Sequence, residues 1–73
     1  MKNKLKLNRP YRVVGYSECC DERIIRRLLE LGFTKNAQFI ISHQSLLGQT
    51  VIVEIRGYVL SVRKKIVDCL KVV

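Results

Sequence analysis

A chain of 73 residues suits one domain, and a domain of that size buries only about 60% of the surface its unfolded form exposes, so its core must be compact. With 48% hydrophobic and 27% charged residues it is a folded protein by composition rather than a disordered one, and no apolar run reaches the roughly 18 residues of a membrane-spanning helix. Fourteen Lys and Arg against six Asp and Glu leave a net charge of +8, which favours acidic partners: nucleic acid, anionic lipid or an acidic protein face.

Residues 1–9 read as a basic lead-in, with Leu5 and Leu7 expected to tuck against the domain. They lack the apolar stretch and small-residue cleavage site of a signal peptide, so the expected location is the cytoplasm. Residues 11–16 form the first predicted strand, β-branched and aromatic, with Pro10 fitting a strand's first position. Asp21 is the predicted helix N-cap, and Glu22 complements the helix dipole there by about 0.3–1 kcal/mol. Ile24, Leu28 and Leu31 fall at i, i+4 and i+7, with Ile25 and Leu29 beside them, so one side of the helix is apolar; Arg23, Arg26, Arg27 and Glu30 take the other. Gly32 suits the left-handed position past the helix end, and Phe33 should pack back onto Leu28.

Thr34-Lys35-Asn36 is a turn in which Asn36 tolerates positive φ. Residues 37–43 read as a strand with Phe39 and Ile41 on one face. Residues 44–50 read as a loop holding Leu46, Leu47 and Gly48. Val51, Val53 and Ile55 alternate with Ile52, Glu54 and Arg56, a half-buried strand that Arg56-Gly57 should turn into residues 58–62 as a hairpin. Residues 63–67 allow one helical turn, and Leu70 and Val72 a closing strand. Strands so closely spaced in so short a chain suggest a small barrel, because closure removes aggregation-prone edges.

Three cysteines, two of them adjacent at Cys19-Cys20, make a poor disulfide framework, and their thiols are expected to be free. Cys69 is expected to pack as a small apolar side chain. No C-x-x-C pair, phosphate loop or dinucleotide fingerprint is present. Cys19, Cys20 and His43, with Asp21 and Glu22 nearby, are the candidate metal ligands, but adjacent cysteines on an extended chain point apart, so no stoichiometric iron is expected and adventitious divalent metal is the alternative. His43, the only histidine, has no nucleophile placed beside it by motif, and no catalytic residue is assigned.

Three motifs, RRLLELGF at 26–33, LLGQT at 46–50 and RGYVLSVRKK at 56–65, followed by Leu70 and Val72, stand in the order and at the distances of the ferrous iron transport protein A (FeoA) family. The chain resembles that family over nearly its whole length. Lys35-Asn36 replaces the family's usual Pro-Gly, and Leu46 and Gln49-Thr50 replace its loop prolines, so the loop lacks their stiffening. The resemblance implies a mainly β fold: a small SH3-like barrel of about five strands with one helix inserted after the first. It also implies a cytoplasmic, non-enzymatic accessory protein of FeoB, the GTPase-like membrane transporter for ferrous iron, peripheral to the membrane through that partner.

The expected contact surfaces are the helix face (Arg23, Arg26, Arg27), the loop Leu46-Leu47 and the hairpin tip Arg56 and Tyr58, in a monomer or weak homo-oligomer. Replacing Leu46 and Leu47 with Ser is expected to weaken FeoB binding with the fold intact; the alternative is that one of them plugs the open end of the barrel, in which case the fold is lost. Two other readings compete. A basic SH3-like module for nucleic acid or the ribosome fits the charge, but Tyr11, Tyr16, Phe33, Phe39 and Tyr58 do not alternate with basic residues as stacking platforms do. A metal-responsive regulatory domain, as in iron-dependent repressors, would need DNA-binding helices that the chain lacks.

Overall fold

The computed structural model describes residues 5–18 and 20–73. Seven elements follow in order: β1 (Pro10–Tyr16), α1 (Glu22–Leu31), β2 (Gln38–Gln44), β3 (Thr50–Ile55), β4 (Tyr58–Arg63), α2 (Lys64–Val67) and β5 (Leu70–Val72). The strands form one antiparallel sheet in the order β4-β3-β2-β1-β5. Alternation decides its inner face. Phe39 and Ile41 of β2, Val51, Val53 and Ile55 of β3 and Val62 of β4 are buried, and their neighbours along each strand are not. Leu28 and Phe33, with no exposed surface, close this face from the helix side. The Phe33 ring meets Phe39 edge-on, with centroids 5.3 Å apart, and Tyr11 lies 6.0 Å from Phe39 on the other side.

The expected barrel does not close. β4 and β5 remain the two edges of the sheet. β4 runs from Arg63 straight into α2, and the three-residue β5 pairs with β1 instead. The helical turn expected near residue 65 is thus a short second helix, whose Val67 is buried in the core. β1 changes partner midway: Pro10 to Arg12 pair with β2, and Val13 to Tyr16 pair with β5 across a register shift between Val13 and Gly15.

The cysteines also depart from expectation. Cys20 and Cys69, 49 positions apart in sequence, are joined in a disulfide with Cα atoms 6.0 Å apart. The cause is the β1–β5 pairing, which sets Tyr16 opposite Leu70 and lets the Ser17 amide donate to the Cys69 carbonyl at 2.7 Å. The chain just beyond β1 is therefore held against residue 69. Cys69 is buried as expected, but as half of a cross-link.

Candidate partner-binding surfaces

α1 is fixed at both ends. At its start the Asp21 carboxylate accepts from the Arg23 amide at 2.7 Å, and the disulfide ties the preceding residue to the turn before β5. At its end the Gly32 amide donates to the Leu29 carbonyl and the Phe33 amide to the Leu28 carbonyl, the paired bonds of a Schellman stop, with Gly32 at φ 105°. Three further side chains converge on the same stretch. The Tyr58 hydroxyl donates to the Leu31 carbonyl at 2.8 Å, Arg56 Nε to the Gly32 carbonyl at 3.2 Å and the Tyr16 hydroxyl to the Phe33 carbonyl at 2.6 Å. A second Arg56 nitrogen reaches Thr34 Oγ1. Three consecutive carbonyls at the negative end of the helix dipole are thus satisfied by donors from two strands and a turn.

Arg56 can reach because the β3–β4 turn has positive φ at both central residues, 50° at Arg56 and 84° at Gly57, the geometry of a type I′ hairpin. Burial raises the Tyr16 hydroxyl above its ordinary pKa of 10.0. Tyr16 was not marked by sequence reasoning: its partner lies 17 residues away and no local pattern announces it.

Five of the seven expected contact residues lie on α1 or are bonded to the chain at its end. Arg23, Arg26 and Arg27 are exposed along α1, and Arg56 and Tyr58 are bonded to its C-terminal end. Arg23 pairs loosely with Asp21 at 3.4 Å and Arg27 with Glu30 at 3.8 Å, both in solvent. Leu29, expected on the apolar side, is nearly half exposed one turn from Arg26, and Val59 is exposed next to Tyr58. Arginine and tyrosine around exposed aliphatic groups is the composition of protein–protein interfaces.

Leu46 and Leu47 lie elsewhere. They occupy the β2–β3 loop at the far end of β3 from Arg56-Gly57, about 20 Å away by strand length, and are fully and four-fifths exposed. The loop is well held despite its missing prolines. The Ser45 amide donates to the Thr50 carbonyl, the Gly48 amide to the Ser45 carbonyl, and the Gln49 and Thr50 amides to Ser45 Oγ.

His43 is exposed on β2, with Nδ1 3.2 Å from Ser42 Oγ. Cys20 is committed to Cys69, and Cys19 lies outside the described residues. Among the described residues no three His, Cys, Asp or Glu side chains are grouped as a metal site requires, and no helix is long and apolar enough to cross a membrane.

The architecture is a small antiparallel sheet that holds one pinned helix across its core face, and it has counterparts among solved structures. A FeoA-like protein from Clostridium acetobutylicum superposes with a TM-score of 0.86 at 20% identity, over 96% of this chain and 79% of that one. The FeoA protein of Chlorobium tepidum gives 0.82 at 25% identity, over 99% and 68%. FeoA of Stenotrophomonas maltophilia, solved with zinc and termed a prokaryotic SH3 domain protein, gives 0.73 at 22% identity, over 94% and 84%. No curated protein matches the sequence. The FeoA domain model matches residues 3–73, and the chain belongs to the FeoA domain family.

Proposed function

We propose that this protein is a non-enzymatic accessory of ferrous iron uptake that binds the cytoplasmic region of a FeoB-type transporter and modulates its activity. Family membership supports the process, and for the Stenotrophomonas relative a role as a ferrous iron transport activating factor has been suggested. The observation that carries the contact is the clamp at Leu31 to Thr34. Arg56 and Tyr58 tie the hairpin turn to the C-terminal stop of α1, the helix that carries Arg23, Arg26 and Arg27, and so join two elements. Rigid surfaces bind at lower entropic cost, and exposed arginines select an acidic partner face. Leu46 and Leu47, also expected to touch the transporter, stand at the other end of β3.

The test is co-purification with FeoB from detergent-solubilised membranes. Arg26→Glu with Arg27→Glu should weaken capture by roughly tenfold or more, because two favourable charges become repulsive. Unchanged capture with the fold intact contradicts the assignment of this face.

A further inference from the structure

The loop pole has a chemistry of its own. Leu46 and Leu47 are the central residues of a turn, with relative exposures of 101% and 81%, and the loop base is fixed by the four bonds that involve Ser45. Two leucines held out on a rigid loop are not awaiting burial within their own fold. The basic residues of α2's start stand next to them, because the Lys64 amide donates to the Gln49 carbonyl at 2.8 Å. A cavity of about 440 Å³ between loop and helix is lined by Gly48, Gln49, Arg63, Lys64, Lys65 and Asp68. Its one acid, Asp68, is paired with Lys64 at 3.3 Å, which leaves Arg63 and Lys65 as surplus positive charge. Leu7, about half exposed, joins from the lead-in, where it lines an adjoining pocket with Lys64. The other acids, Glu18, Asp21, Glu22, Glu30 and Glu54, lie on the segment leading into α1, on α1 or on β3.

An apolar tip that projects, ringed by cations, needs a partner that is soft and apolar inside and anionic at its surface. We propose that this pole rests directly on an anionic lipid bilayer, Leu46 and Leu47 entering below the headgroups while Arg63 and Lys65 meet the phosphates. Insertion gives the apolar term and the cations the electrostatic one, the two-signal arrangement that stable membrane attachment requires. This contact is separate from the transporter reading and can be measured without any transporter.

The probe is co-sedimentation with vesicles of phosphatidylcholine alone and with phosphatidylglycerol added. The protein should bind only the anionic vesicles and leave them at about 1 M salt, where screening falls to about 3 Å. Leu46→Ser with Leu47→Ser, and separately Arg63→Glu with Lys65→Glu, should each weaken binding by roughly tenfold or more, with the far-UV spectrum unchanged. Arg26→Glu on α1 should leave it within about twofold. The chain has no tryptophan, so Leu47→Trp installs a single reporter, whose emission should shift to the blue on anionic vesicles and stay unquenched by aqueous iodide. Equal binding to both vesicle types, binding indifferent to the leucines, or a bound reporter still open to iodide overturns the proposal. So does an absence of vesicle binding with capture of an acidic protein through the same leucines.

Discussion

Gly32 meets two separate demands. Its φ of 105° is closed to ordinary side chains, and a Cβ there would stand 2.9 Å from the Tyr58 hydroxyl. Gly32→Ala should therefore cost about 1–2 kcal/mol for the backbone and loosen the Tyr58 bond as well. Tyr58→Phe removes only the donor to Leu31 and should cost about 0.5–1.5 kcal/mol by chemical denaturation. Tyr16 adds a pH dependence of known sign. Its raised pKa means that the folded state holds the phenol proton more tightly than the unfolded one, so its contribution is complete below pH 10.0 and is lost as pH rises through the folded value. The readout is a difference: Tyr16→Phe should show a shallower loss of stability above pH 10.0 than the parent.

At the scale of elements, what was legible in the sequence is what a few neighbouring residues decide. The Asp21 cap, the Gly32 stop, the left-handed Asn36 at φ 72° and the Arg56-Gly57 turn are each set by local chemistry, and all stand where expected. So does the alternation of β3, because one face of the sheet is buried. What was not legible depends on distant pairing. Nothing near Cys20 or Cys69 announces that β1 and β5 will lie side by side, and without that pairing three cysteines read as free thiols. Barrel closure was inferred from the hazard of open edges, but α2 follows β4 with no intervening turn and β5 is spent on β1. The disulfide carries its own prediction. A cross-link spanning 49 positions restricts the unfolded chain, so Cys20→Ala or Cys69→Ala should lower stability by about 2–4 kcal/mol. Thermal unfolding with and without a thiol reductant checks it: the parent should lose that stability on reduction and the variants should not respond.

Across the whole molecule, seven of the fourteen basic residues fall in two regions separated by the length of β3. One is the pinned helix with its hairpin clamp; the other is the leucine loop with its basic border. Sequence reasoning named the helix face, the leucine loop and the hairpin tip without their relative placement, because spacing along a chain does not report which end of a strand a side chain occupies. Together the two proposed contacts would hold the protein in a fixed orientation, with one face on a transporter's cytoplasmic region and one on the bilayer beside it.

The most direct test of the transporter contact is amide chemical-shift mapping of the labelled protein titrated with the soluble cytoplasmic region of FeoB. The account predicts perturbations at residues 23–34 and 56–59, with residues 45–49 and 63–65 undisturbed. Shifts confined to the leucine loop and its basic border, or none at saturating partner, would contradict it.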